Sequence, residues 1–286
     1  MTLPAPTIPL IPSMAPLAPR FDAWICDVWG VLHNGVKAFG PAVEACSRFR
    51  QQSGTVLLLT NAPRPASAVQ LQLDGFGVPR DCYDVIVTSG DLTRRLISDQ
   101  PDRRLLHVGP DRDLGIFAGL DLNFVGDADA DVVICTGLLN DNVETPAHYT
   151  SRFTPLVERR VPMICANPDL TVERGERLVY CAGSLAAEYE RLGGSVVYAG
   201  KPHPPIYALA FEQLAAVRGG PVPHDRILAI GDGLRTDIKG AGNVGLAAAF
   251  IASGVHVSGP LDEATLAALF AGSDTHPIAA LPALAW

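Results

Sequence analysis

Asp27 closes the run AWICD, Thr60 and Asn61 close TVLLLTN, Lys201 stands in VVYAGKPHPPIY, and Asp232 and Asp237 fall within ILAIGDGLRTDIKGAG. A carboxylate nucleophile, a hydroxyl and amide pair, a lysine and a second carboxylate pair, in that chain order, are the components of a metal-assisted phosphoryl-transfer site. Taken singly, each has a bland explanation. Asp at a strand end forms turns, Thr-Asn caps helices, and Thr-Asp opening a helix is an N-cap that suits the helix dipole. The position two residues after Asp27, where such chemistry would usually place a second acid, holds Trp29.

These residues need elements that bring them to one place. AWICD, TVLLLTN, DVIVTSG, RLLHVGP, DVVICTG, VPMICANPD and RILAIGDG are all short apolar runs that stop at a small or polar residue. Continuous apolar runs are what strands covered on both faces look like, and this pattern predicts a parallel α/β sheet. Ligands of such sheets bind outside the carboxyl ends of the strands, where the residues above fall. PAVEACSRFRQQSG, PASAVQLQLDGFG, PPIYALAFEQLAAVRGG and TDIKGAGNVG start at Pro or Thr and end near Gly, as helices do. No repeat, low-complexity tract or heptad pattern is present.

ICDVWGVLHNG, LLLTNAPR, AGKPHPPIY and AIGDGLRTDIKGAG resemble, in order, the four motifs of the haloacid dehalogenase-like (HAD) hydrolase superfamily, most of whose members are magnesium-dependent phosphatases. The fourth is the most specific, because Gly-Asp-x-x-x-Thr-Asp-Ile after an apolar strand is rarely met by chance. The long interval from Asn61 to Lys201 resembles subclass IIA, in which an α/β cap is inserted there. ICANPDLTVERGERLVYCAGSLAAEYERLGG is similar to the cap-to-core return of that group. The likeness runs from about Phe21 to Gly254. It implies a Rossmann-like HAD core with a parallel sheet over 21–88 and 185–286, and a cap over 89–184. Residues 1–20, rich in proline, form an irregular arm outside it.

Residue by residue, the resemblance implies that Asp27 attacks phosphorus. A Mg2+ ion would be held by Asp27, the main-chain oxygen of Trp29 and Asp232, with Asp237 holding a metal-bound water or Lys201. Thr60 and the Asn61 main-chain N–H would donate to phosphoryl oxygens, and Lys201 would offset the charge between Asp27 and the phosphate. The function implied is Mg2+-dependent hydrolysis of a small phosphomonoester, or phosphoryl transfer from one. Trp29 departs from the pattern, since family phosphatases carry there the Asp that protonates the leaving group. An indole offers only a weak N–H donor. Metal-independent dehalogenases of the superfamily place an aromatic at this position, but they lack the carboxylate pair kept here as Asp232 and Asp237. His33, in VLHNG, is the nearest titratable candidate for a proton donor. The alternative is a catalytically weak relative that retains metal and phosphate binding as a sensor or partner protein.

Arg64 is a candidate contact for a substrate anion, Asn167 and Asp169 of ANPD for the cap side of the cleft, and His203, between prolines, for a structural role. The 286 residues carry a net charge of −8, which argues against a phosphate-backbone-binding surface and so against nucleic acid as a partner. Six scattered cysteines without a C-x-x-C pair suit a reducing compartment, and no run is long enough to cross a bilayer. The expected setting is cytoplasmic. The expected partners are a small phosphorylated metabolite and, through the cap, a second copy of the chain.

Overall fold

A computed structural model describes residues 8–100, 102–174, 177–252 and 261–286. Its strands are β1 Ala23–Asp27, β2 Thr55–Thr60, β3 Val85–Thr88, β4 Arg104–Val108, β5 Asn123–Phe124, β6 Val132–Cys135, β7 Met163–Cys165, β8 Thr171–Arg174, β9 Arg177–Tyr180, β10 Val196–Tyr198, β11 Ile227–Gly231, β12 Ala247–Ile251 and β13 Ala279–Leu281. The α-helices are α1 Gly40–Gln51, α2 Ala66–Gly75, α3 Ser89–Ser98, α4 Thr150–Glu158, α5 Ala182–Arg191, α6 Pro204–Arg218, α7 Lys239–Asn243 and α8 Glu263–Leu269. The chain divides into two compact units. One comprises Met1–Thr60, Gln70–Val87 and Tyr207–Trp286; the other comprises Asn61–Val69 and Thr88–Ile206.

The first unit is built on a sheet of order β13-β12-β11-β1-β2-β3. β1 lies at its centre and pairs in parallel with β11 and β2, while β12 pairs in parallel with β11 and β13. Every residue of β1, β2 and β11 is buried, which is why these strands read as unbroken apolar runs. Trp24 of β1 stacks on Phe49 of α1 with ring centroids 4.0 Å apart, fixing helix to sheet. Burial of each such large side chain contributes about 1.5–3 kcal/mol. From residue 8 the proline-rich arm is tied down, and it ends in a 3-10 turn, Ala18–Arg20. The Ile11 N–H donates to the Ala280 carbonyl at 3.0 Å, and Met14 is fully buried.

The second unit has its own parallel sheet, β10-β7-β6-β4-β5, and a separate antiparallel hairpin of β8 and β9. Its core joins Val133, Cys135, Met163 and Cys165 of the sheet to Phe153 of α4 and Leu185 and Tyr189 of α5. The unit runs to Ile206, past the return at residue 185 suggested by the sequence. The reason is that α5 fills this core and β10 pairs with β7.

All seven apolar runs become strands. β5, β8, β9, β10, β12 and β13 go beyond them; AAAFI, which forms β12, lacks the β-branched residues that mark a strand. The expected helix from Thr236 instead begins as a π-turn, Leu234–Ile238, before α7. The Ile238 N–H reaches the Gly233 carbonyl at 3.1 Å, while Asp237 turns its carboxylate back to accept the Gly233 N–H at 3.0 Å. Thr236 therefore lies inside the turn rather than capping a helix.

Candidate active site

In the first unit, the strand register alone gathers the acidic residues. Asp27 is opposite Leu59 of β2, so Thr60 stands one residue beyond it; Cys26 is opposite Ile230 of β11, so Asp232 follows one residue beyond the level of Asp27. Parallel strands end on the same side, which brings all three to one edge of the sheet. The π-turn after β11 adds Asp237. Oxygens of Asp27, Asp232 and Asp237, all buried, lie within 4.8 Å of one another.

A buried cluster of three carboxylates is repulsive unless a cation is shared among them. The set suits a hard divalent ion, whose preferred ligands are oxygens, and nothing in it favours a soft metal. The backbone makes room for it at Gly30, with φ +83°, where a Cβ atom would collide with the Asp232 carboxylate. The Asp27 Oδ1 atom accepts the Val28 N–H at 2.7 Å, which orients the carboxylate at the end of β1.

Trp29 is half-buried and holds the loop after β1. Its indole lies edge-on to the His33 ring at 5.2 Å, and it covers Gly35 so closely that any Cβ there would strike the indole. His33 is almost fully buried, with Phe76 at 5.0 Å on another side. Its Nδ1 accepts the Gly35 N–H at 2.9 Å, a bond that requires the unprotonated nitrogen. This bond ties the imidazole to the loop after β1.

In the second unit, the side chain of Asn61 is the hub. Its Oδ1 accepts the Lys201 N–H at 2.8 Å and the Ser89 hydroxyl at 3.3 Å. Its amide donates to the Lys201 carbonyl at 3.1 Å and to Asp169 Oδ1 at 2.9 Å. Lys201 is 3% exposed. Asn167 accepts the Asp169 N–H at 3.0 Å, an Asx-turn that aims Asp169 at Asn61. Asn167 and Asp169, which the sequence suggests as substrate contacts, are thus engaged in holding Asn61. His203 stacks flat on Tyr198 at 4.7 Å.

Two features are missed by reading the sequence. Ser89 follows Thr88, and Thr88 with Asp91 forms a capping box on α3; the Thr-x-x-Asp spacing after DVIV is the available signal. The second is a polar group of the buried Asp113 and Thr136 with the half-buried His107, and with Arg112 bonded to Asp141 at 2.5 Å. Burial pushes the Asp113 carboxyl up to about 6 against the opposing pull of Arg112 and Arg64, and burial pushes the His107 imidazole down. Arg64 itself is half-buried. The GPDRD stretch carries no pattern that separates such a cluster from an ordinary turn.

Comparison with known proteins identifies the family. A profile of haloacid dehalogenase-like hydrolases matches residues 24–123, and a HAD-hydrolase-like profile matches residues 198–272. A crystal structure of a hydrolase of the haloacid dehalogenase-like family from Brucella suis is 48% identical, with a TM-score of 0.86 over 96% of this chain and 100% of that one. The chain is also similar to the D-glycerol 3-phosphate phosphatase of Mycobacterium tuberculosis, at 28% identity over 85% of this chain and 66% of that protein. It thus spans just under two thirds of that relative's length. The ribonucleotide monophosphatase NagD of Escherichia coli is 27% identical over 81% of this chain and 87% of its own. Among the described residues no helix is long and apolar enough to cross a membrane. The motifs, the two-sheet architecture and these likenesses agree: the chain belongs to the haloacid dehalogenase-like hydrolases.

Proposed function

We propose that this chain cleaves a small phosphomonoester with the help of a divalent cation, magnesium before others. The observation that carries the reading is the buried trio of Asp27, Asp232 and Asp237. Asp27, Asp232 and the Trp29 main-chain oxygen are the proposed ligands, with Asp237 supporting them. Such an ion neutralises charge on the phosphoryl group and fixes its orientation.

In this reading the Asp27 carboxylate attacks phosphorus, the bond to the ester oxygen breaks, and the phosphoryl group stays on Asp27 until water or another acceptor removes it. The Thr60 hydroxyl and the Asn61 main-chain N–H donate to the phosphoryl oxygens, and the Lys201 ammonium offsets their charge. Arg64 is the proposed contact for a second anionic group of the substrate. The glycerol phosphate and ribonucleotide phosphatases resembled by this chain are named for phosphomonoesters, which supports that substrate class.

Trp29 supplies no proton to the departing oxygen, so the best substrates are those whose leaving group departs as a stable anion, such as aryl and acyl phosphates. The same residue favours a second reading, a weakly active relative that senses or holds phosphate. Turnover of 4-nitrophenyl phosphate with magnesium separates the two. Phosphate release that appears with magnesium and disappears with chelator is expected; undiminished release in excess chelator overturns the metal-assisted reading.

A further inference from the structure

At the amino ends of β4, β6 and β7, the second unit contains a surface cavity of about 440 Å³ whose walls carry Arg103, Arg104, Arg159, Arg160 and Asp131. β7 leads at its other end into Asn167 and Asp169, so the cavity and the Asn61 hub lie at opposite ends of one parallel sheet. Four guanidiniums and the Asp131 carboxylate line it, and Asp129 lies 3.7 Å from Arg104, in a chain whose net charge is −8.

Part of this charge serves the fold. Arg104 grips Asp131 through Nε at 3.0 Å and Nη2 at 2.9 Å. Arg159 follows α4, where a cation suits the helix dipole, and donates to the carbonyls of Asp127 at 2.8 Å and Ala130 at 2.6 Å. Arg103 and Arg160 play no such part. Both are exposed, and Arg103 meets the charge of the fold only through longer-range attraction to Asp131. Arg160 also carries a backbone cost. Its φ is +61°, the left-handed position after a helix end that glycine or asparagine normally fills. A side chain other than these costs about 1 kcal/mol there, and the arginine returns nothing to the helix.

We propose that this cavity is a binding site for a diphosphate-bearing small molecule, separate from the phosphatase centre and independent of its chemistry. Guanidinium forks match phosphate oxygens two at a time. No aromatic side chain lines the cavity to stack a base, so charge and phosphate geometry do the recognition. A phosphomonoester brings about two negative charges. A diphosphate brings more, and its two phosphate groups can engage the separate guanidiniums of Arg103 and Arg160 two oxygens at a time. The volume lies in the range of small-molecule sites.

The test is calorimetric titration of the full chain with inorganic pyrophosphate, in excess chelator and at ~0.15 M salt, where long-range attraction is screened. Saturable binding to one site is expected, weakened about tenfold or more in the Arg103→Gln/Arg160→Gln double variant and unchanged in Lys201→Gln. Arg160→Gly keeps the test open if the double variant folds poorly. Glycine relieves the left-handed residue, so this variant should melt at a higher temperature and bind pyrophosphate more weakly, with nitrophenyl phosphate turnover intact. No saturable binding at that salt, binding that survives both arginine variants, or binding lost in Lys201→Gln alone overturns the proposal. Inorganic phosphate binding as tightly as pyrophosphate overturns its diphosphate class.

Discussion

Asn61 and Lys201 hold each other by a reciprocal pair of hydrogen bonds, N–H to Oδ1 at 2.8 Å and amide to carbonyl at 3.1 Å, so that one side chain pairs with the main chain of another residue as a strand neighbour would. The carboxamide makes four hydrogen bonds in all, and no other side chain of its size offers both an acceptor and a donor here.

Asn61→Ala is expected to cost about 1–3 kcal/mol, because buried main-chain groups of Lys201 lose their partners. It should lower kcat/KM by about ten- to a hundredfold through misplacement of the lysine. Asn61→Asp should be worse at neutral pH, since a carboxylate would then face Asp169 and the Lys201 carbonyl, and Asp169→Asn should partly rescue it. Melting curves and nitrophenyl phosphate kinetics on all four proteins are the check. An Asn61→Asp protein that melts with the parent would show that Lys201 is held some other way.

Asp27→Asn should abolish turnover, by about three orders of magnitude or more, with the fold kept. The asparagine retains the oxygen that accepts the Val28 N–H, so the end of β1 stays in place. Phosphate release measured beside a thermal melt decides it; substantial residual turnover assigns the nucleophile elsewhere.

The leaving-group dependence of the parent should be steep, with aryl and acyl phosphates far ahead of alkyl ones. Trp29→Phe should keep that slope, whereas Trp29→Asp should flatten it by supplying a proton donor. The exchange is not free, because the indole packs on His33 and Gly35; a loss of about 2 kcal/mol is expected from the emptied loop. Equal slopes in all three proteins, with fast alkyl turnover in the parent, would show that another group already moves the proton.

Asp113 gives a pH dependence of definite sign. Its folded carboxyl is pushed up to about 6 from an ordinary value of 3.8, so its contribution to stability is intact below about pH 4 and is lost as pH rises towards 6. The loss is at most ~3 kcal/mol. Asp113→Asn should therefore gain on the parent as pH rises, with the difference levelling off near neutrality. Urea unfolding of both proteins at pH 4 and pH 7 tests this; a difference that does not change with pH sinks it.

The sequence discloses most where a side chain's role is also a local rule. Asp27, Thr60 and Asp232 end apolar runs, and parallel register alone then lines them up. The strands that escape such a reading are the alanine-rich AAAFI and short pieces such as Asn123–Phe124, which owe their state to neighbours rather than to propensity. The Asn61 side chain is legible as a motif member but not as a hub, because its partners lie 140 and 108 positions away. His33 likewise reads as a free imidazole; its hydrogen bond to Gly35 and its burial under Phe76 exist only once the loop has folded.

The placement of β11 beside β1 bears on the order in which the chain can fold. Asp22 and Arg226, paired at the entrance to these two strands, are 204 positions apart, so the ribosome completes the whole second unit before the centre of the first sheet can close. The second unit depends on its own sheet and core, whose residues are contiguous apart from a short early segment, and can form during synthesis. β1, β2 and β3 must wait with an open, apolar edge where β11 will insert, and loop closure over such a span is slow. Arrest of synthesis before residue 227 should therefore leave a nascent chain whose late-made portion resists protease while its earliest strands are still recruiting chaperones.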